Sequence, residues 1–503
     1  MSVVDAAAAA STETPWRRLS RRMLLVHPVH EVLRLLPIIL ALLVFGRGDT
    51  GAIGYGLLAA AAAVTIGVIR WMTTEYRVTP EQVQIRKGVL QRSVSSVARD
   101  RVRAVDVTSR VMHRLLGLAV ITIGTGRNDA SNDAALRLDG LTVEETARLR
   151  AELLHRADAD LDADGHAVAQ PPGEVLTRWR NAWVRYGPFS FSGFVTLGVL
   201  AGAAAQAMGS MVDINVDTDG SGLETALSDL PLVPLLVLVA AVIVLAAIVL
   251  STAGYLVAHW RFTLTREPTG TLHVTRGLLT TRATTLEERR LRGVELNDPL
   301  PLRLARGARV TAIATGGDAR GSAGLLPPAP RDEALRTATL VLGDEAPLTA
   351  PLHDHGPAAR RRRYTRALAP AAAVAALGLI AVAADVLAVG LWGAAAAALL
   401  TCAALLGADR ARSLGHARVG PWLVTRSGTL TRTRAVLECD GVIGVTFRAS
   451  FFQRRAGLCT LTATTAGGRE GYDVLDVDPA VAVALADDAV PGLLAPFRLR
   501  SAK

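Results

Sequence analysis

The chain has 503 residues, half of them hydrophobic and a fifth charged, with a mean hydropathy of +0.32. That balance argues against an ordinary soluble domain and for several domains whose apolar residues are gathered into membrane segments. The net charge of +10 rests on arginine, since Lys87 and Lys503 are the only lysines.

Residues 1–30 form an Ala/Ser/Thr-rich start, expected to be disordered, followed by the basic Arg17, Arg18, Arg21 and Arg22. No charged stretch leads into an apolar run there, so no cleavable signal is expected. Residues 31–72 hold a first pair of apolar runs, 33–46 and 51–69, with Arg34 placed to snorkel to the interface. Residues 73–158 read as a mainly β segment. Strands are expected over 75–79, 82–86, 89–97, 102–108, 118–124 and 134–138, with a short helix over 109–116. A closing helix starts at the capping pattern Thr142-x-x-Glu145.

A linker and basic flank over 159–187 leads to a second apolar pair in 188–259, with runs 189–212 and 230–258. Residues 260–345 repeat the β plan: strands over 261–265, 271–276, 284–295 and 308–315, a short helix over 301–306 and a closing helix over 331–342. A flank over 346–366 precedes a third apolar pair in 367–409, with runs 367–384 and 386–408 around Asp385. Residues 410–500 carry the last copy: strands over 422–426, 442–448 and 458–464, a short helix over 451–456 and a closing helix over 479–487. The expected fold is therefore membrane α-helical, with six transmembrane helices in three pairs. To these it adds three cytosolic mainly-β domains, each closed by a C-terminal helix.

The copies share paired turn glycines: Gly88 and Gly117, Gly277 and Gly307, Gly428 and Gly457, spaced 29, 30 and 29 residues apart. Near-constant spacing in three places indicates an internal repeat. Connections within the apolar pairs are acidic, whereas the outer flanks are arginine-rich, including the unbroken Arg360, Arg361, Arg362 and Arg363. The positive-inside rule then places both termini and all three polar segments in the cytoplasm. Trp71, Trp179, Trp183 and Trp260 lie at the same flanks and are read as interface anchors.

No Walker, HExxH or Gly-x-Ser-x-Gly pattern occurs, so no catalytic, cofactor-binding or metal residues are assigned and no cofactor is expected. His353-Asp354-His355 reads as a solvated linker. Glu287 and Glu288 sit beside Arg289 and Arg290 and read as a salt-bridged face. Cys402, Cys439 and Cys459 read as reduced thiols. Basic residues gather at membrane flanks rather than on one soluble face, which argues against nucleic acid. Arg86, Lys87 and Arg276, beside the turn glycines, are the candidate anion or partner contacts.

The ordered set Tyr76-Arg77-Val78-Thr79, Ile85-Arg86-Lys87-Gly88, Asp100-Arg101-Val102-Arg103 and His113-Arg114-Leu115-Leu116-Gly117 resembles bacterial PH-domain membrane proteins of the YdbS/YdbT type. Thr275-Arg276-Gly277-Leu278 and Leu291-Arg292-Gly293-Val294 continue the resemblance. The third copy diverges, with Ser427-Gly428 in place of a basic-Gly turn. The resemblance implies a bent β-sandwich or barrel closed by a helix, and no established ligand. The expectation is a non-enzymatic, multi-pass protein of the bacterial cytoplasmic membrane, with a role in cell-envelope maintenance. Its modules would meet the lipid bilayer, anionic headgroups at the basic flanks, or a membrane or cytosolic protein such as a smaller PH-domain membrane protein. A component of a transport or export system is the alternative. Pumps usually place ionisable residues within their spans, and here Gln206 is the lone clear polar amide at a span centre.

Overall fold

The computed structural model describes residues 16–20, 22–23, 65, 68–69, 72–79, 81–87, 93–98, 104–124, 135–154, 173–189, 198, 202, 232–315, 322–384 and 389–497. The first copy contains β1 (Arg17–Arg18), β2 (Glu75–Val78), β3 (Gln82–Lys87), β4 (Ser93–Ala98), β5 (Ala104–Ser109), α1 (Val111–Leu115), β6 (Leu118–Gly124), β7 (Ala135–Thr142) and α2 (Val143–Leu154). The second contains β8 (Glu174–Arg178), α3 (Leu232–His259), β9 (Thr263–Glu267), β10 (Thr271–Arg276), β11 (Thr281–Glu287), β12 (Leu291–Pro299), α4 (Leu300–Leu304), β13 (Gly307–Ala314), β14 (Ser322–Pro330) and α5 (Arg331–Leu342). The third contains α6 (Gly356–Ala383), α7 (Val389–Ser413), β15 (Gly415–Val419), β16 (Trp422–Ser427), β17 (Thr431–Glu438), β18 (Val442–Arg448), α8 (Phe451–Arg455), β19 (Cys459–Thr465), β20 (Gly471–Val477) and α9 (Pro479–Ala489).

Each copy thus runs as one meander, a second meander whose first two strands are joined by a single helical turn, and a closing helix. The expected strand over 284–295 is instead two strands, β11 and β12, separated by a 3-10 turn at Glu288–Arg290. Glu288 there pairs with Arg266, and Glu287 with Arg289. The helix over Val143–Leu154 starts with half of the expected capping box. The Glu145 amide donates to the Thr142 hydroxyl (3.2 Å), while the Glu145 carboxylate accepts from Tyr76 Oη instead.

The chain forms two compact units. One comprises Met1–Val175, Arg261–Arg289 and Gly316–Ala319; the other comprises Leu176–Trp260, Arg290–Thr315 and Arg320–Lys503. In the first, a four-stranded sheet runs β1-β2-β3-β4. A seven-stranded sheet runs β7-β6-β5-β11-β10-β9-β8, its last strand carrying the chain onward. Alternation in β3, β6 and β7 turns Val83 and Ile85, Ile121 and Ile123, and Leu136 and Leu138 inward, where they join Tyr76 and Leu149 of α2 in one core. At roughly 2 kcal/mol for each large buried side chain, this core dominates the stability of the unit. The second unit has a six-stranded sheet β14-β13-β12-β17-β16-β15 and a three-stranded sheet β18-β19-β20. One core of this unit gathers Leu423, Leu437, Leu461, Tyr472 and Val474 with Ala482 and Leu485 of α9.

In both units one copy's second meander joins the next copy's first meander edge to edge. β5 pairs antiparallel with β11, Ser109 facing Thr281 through Val105 facing Thr285. β12 pairs antiparallel with β17, Gly293 facing Leu437 through Pro299 facing Thr431.

The turn glycines have distinct physical reasons. Gly277 and Gly428 lie at φ +111° and +113°, and a Cβ there would come within 2.0 Å and 1.9 Å of the Thr280 and Thr431 carbonyl oxygens. Gly117 and Gly457 are left-handed, both at φ +65°. Gly307 is not: it is small because a Cβ would meet the Tyr186 ring at 2.6 Å. The left-handed residue of the second copy is Arg306, at φ +56°. Measured to that residue, the spacing from the first glycine is 29 in the second copy too. Gly88 lies outside the described residues.

Three described helices are long and apolar enough to cross a membrane: Val237–His259, Gly356–Ala383 and Trp392–Ser413. They correspond to the expected runs 230–258, 367–384 and 386–408. The expected runs 33–46, 51–69 and 189–212 lie almost wholly outside the described residues, so three spans, not six, are supported.

Candidate functional site

The strongest concentration of unusual chemistry lies in the second unit, on the β16–β17 hairpin. Its sequence Thr431-Arg432-Thr433-Arg434 alternates, which sets Arg432 and Arg434 on one face of β17. Register places Arg426 of β16 opposite Arg434, and Asp298 of β12 opposite Arg432. The single turn α4 contributes Arg303, and the first residue of α5 contributes Arg331.

Five guanidinium groups meet two carboxylates. Asp409, in the last turns of α7, accepts from Arg303 Nη2 and Arg432 Nη2 at one oxygen, each at 2.9 Å. Arg331 pairs with Asp298. Arg434 donates to the Ala350 carbonyl (2.9 Å). Arg426 donates to the Ser413 and Arg412 carbonyls, each at 3.1 Å. Those last two are C-terminal carbonyls of α7, where a cation is favoured by the helix dipole.

Like charges at this density raise each other's cost. Burial, then repulsion from Arg426 and Arg331, draws the Arg434 guanidinium down to about 10. Arg426 and Arg432 move down for the same reasons, burial first. Burial raises the Asp298 carboxyl, against the pull of Arg331, Arg432 and Arg303. Arg303 Nη1, Arg432 Nε and Arg434 Nε are buried donors with no hydrogen-bond partner among the described residues. Unmet buried donors and a surplus of positive charge are the conditions under which an anion binds well.

The site is tied to an apolar helix end. Ser413 is fully buried, and its hydroxyl bridges the Arg410 and Gly428 carbonyl oxygens. Arg410 Nε donates to Thr429 Oγ1 at 2.8 Å. The hairpin turn therefore sits against the C-terminal end of a helix long enough to span a bilayer, with Leu430 exposed beside it.

The residues singled out from sequence fall elsewhere. Arg86, in β3, lies with Arg77 over the Trp16 ring, at 5.8 and 4.7 Å from its centroid. Lys87 ends the same strand. Arg276 ends β10 and faces Arg282 across the hairpin. By distance from its turn glycine, Arg426 is the counterpart of Arg86. Trp71 lies outside the described residues. Trp179 packs on Trp183, Tyr255 and Trp260 with ring centroids 5.8–6.5 Å apart. Trp183 is itself buried in protein, so its ring does not serve as an exposed anchor.

The arginine run is also partly taken up by protein. Arg362 and Arg363 pair with Asp476 at 2.9 and 2.7 Å, and Arg360 pairs with Asp354, while Arg361 is exposed. The expected solvated linker at His353–His355 is corrected in part: His353 and Asp354 are exposed, whereas His355 is buried, held by the Leu475 carbonyl at 2.7 Å and by His416 at 2.9 Å.

The cluster had a partial signal in sequence: two arginines at alternate positions opposite a third. Arg303 and Arg331, far apart in sequence from that hairpin, had none, because only the β12–β17 pairing brings them there.

The bacterial PH domain family is matched over residues 32–157 and 371–487. No curated protein and no solved structure matches the chain.

Proposed function

This chain is a bacterial PH-domain protein with repeats, and we propose that it is a non-enzymatic membrane protein whose modules hold anionic lipid headgroups or membrane-bound partners at the bilayer surface. The three long apolar helices among the described residues support membrane association. The arginine-rich flanks support a cytoplasmic face for the modules, and cell-envelope maintenance is the process such a surface fits.

The observation that carries the reading is the surplus of five arginines over two aspartates at the end of α7. Guanidinium groups match phosphate oxygens in bidentate geometry and stay charged near neutral pH. A phosphate-bearing headgroup beside the Gly428 turn would satisfy the unmet Nε and Nη donors and relieve the mutual repulsion of Arg426, Arg432 and Arg434. Leu430 would lie toward the acyl boundary. Anchoring by the spans keeps lipid and site at high effective concentration, so a weak intrinsic affinity suffices.

The test uses the full chain in detergent and two short-chain lipids, dihexanoylphosphatidylglycerol and dihexanoylphosphatidylcholine. The anionic lipid is expected to bind at least fivefold more tightly. The double substitution Arg432→Gln/Arg434→Gln is expected to remove that preference while the chain stays folded by circular dichroism. Equal affinity of the unaltered chain for the two lipids would defeat the headgroup reading.

A further inference from the structure

Two strand edges are left open by the plan that joins the copies. Each copy's second meander begins with a strand of one type: β5, β12 and β18. Each first meander ends with a strand of another type: β4, β11 and β17. β5 takes β11, and β12 takes β17. Among the described residues, β4 pairs only with β3, and β18 only with β19.

The two joints share one register. The fourth residue after the turn glycine faces the eighth residue before the left-handed position. Thr281 faces Ser109, and Arg432 faces Asp298. The same rule applied to the open edges sets Ser93 opposite Arg448 and Val94 opposite Phe447.

The open edges look like the paired ones with the partner removed. β12 is buried along nearly its whole length, whereas β18 exposes Ile443 (67%) and Phe447 (39%). Four successive residues of β4 are exposed, with Val94 at 58%. Natural edges are usually blunted by charge or proline. β14, an edge in its sheet, carries Pro327 and Pro328. β4 (Ser-Val-Ser-Ser-Val-Ala) contains neither, and β18 has only a terminal arginine.

We propose that β18 of one molecule takes β4 of a second copy of the same chain, antiparallel and in the register of the two internal joints. The occupant is a second copy because the two open edges are the missing halves of the joint that the chain already makes twice. Such contacts are heterologous: each addition leaves one edge of each type free, so association continues or closes into a ring.

The test is cross-linking of the full chain in bilayer nanodiscs or native membrane, with exposed Cys402 replaced by serine. Two differently tagged chains, one carrying Ser93→Cys and one Arg448→Cys, are mixed and oxidised. Thr108→Cys/Arg282→Cys within one chain is the positive control, since it reports the equivalent internal pair. Ser93→Cys mixed with Ile443→Cys is the out-of-register control. The expected result is a cross-linked product between tags at least fivefold above the out-of-register mixture, with unaltered chains running as a ladder of whole-number copies. No excess over that mixture while the internal pair closes would overturn the proposal. So would an unaltered chain that stays at single-copy mass, or an Arg448→Cys cross-link to a different protein.

Discussion

His355 donates from Nδ1 to the Leu475 carbonyl, an acceptor only, so its Nε2 presents a lone pair. His416 must then donate from Nδ1 to that nitrogen at 2.9 Å. The bond between them lasts only while His355 is neutral, because a protonated His355 would turn an Nε2–H toward the His416 Nδ1–H. Burial, then the nearby His355 and His353, lowers His416 to about 4; burial also lowers His355, with Arg363 adding to it and Asp354 and Asp476 opposing. The unfolded chain takes up these protons near pH 6.5, where the folded chain refuses them. Stability is therefore full above pH 6.5 and is lost as pH falls toward 4. For His416 the loss should reach about 1–2 kcal/mol after allowance for solvent screening. Melting followed by tryptophan fluorescence should drop over that window in the unaltered chain and drop less in His416→Gln, whose amide can still donate. Parallel profiles for the two chains would rule the pair out as the cause.

At the scale of the element, much was readable because local chemistry and tertiary packing agree. Strands β6, β10 and β18 and helix α5 follow their alternation, caps and turn glycines, so pattern alone places them. β14 was missed because Gly-Leu-Leu-Pro-Pro-Ala-Pro carries no strand signal; its prolines are tolerated only at a sheet edge. β15, β17 and β20 were missed because polar or charged residues interrupt them, as in Thr431-Arg432-Thr433-Arg434. The arginine site inherits that blindness, since β17 is the strand that assembles it. The helix α6 illustrates a contact that its basic run concealed. Asp476, 1% exposed, accepts from Arg362 Nε and Gln453 Nε2 and pairs with Arg363, tying α6 to β20 and α8. Asp476 is left-handed at φ +55°, a conformation that asparagine also tolerates. Asp476→Asn thus removes charge without adding backbone strain and leaves two arginines uncompensated. A loss of about 3–5 kcal/mol is expected, measured as a lower unfolding midpoint in denaturant, and an unchanged midpoint would show that this ion pair does not hold α6 in place.

At the scale of the whole molecule, the repeats are not separate beads on a chain. The six-stranded sheet of the second unit takes three strands from the second copy and three from the third, and its middle is the β12–β17 joint. Gly293 lies at that joint with φ +145°, and a Cβ there would come within 1.9 Å of the Val436 carbonyl oxygen. No rotamer relieves such an overlap, because both partners are backbone. Gly293→Ala must therefore push β12 and β17 apart, exposing two strand edges and loosening parts of two copies together. A destabilisation of about 2–4 kcal/mol is expected. Trypsin cleavage should become faster in both the 290–345 and the 415–490 regions rather than in one copy. Gly393→Ala is the matched control: it lies in α7, where an added Cβ meets nothing within 4 Å, and should leave the digestion pattern unchanged. If Gly293→Ala digests like the unaltered chain, or opens only one of the two regions, the copies fold independently and the edge-to-edge joint does not couple them.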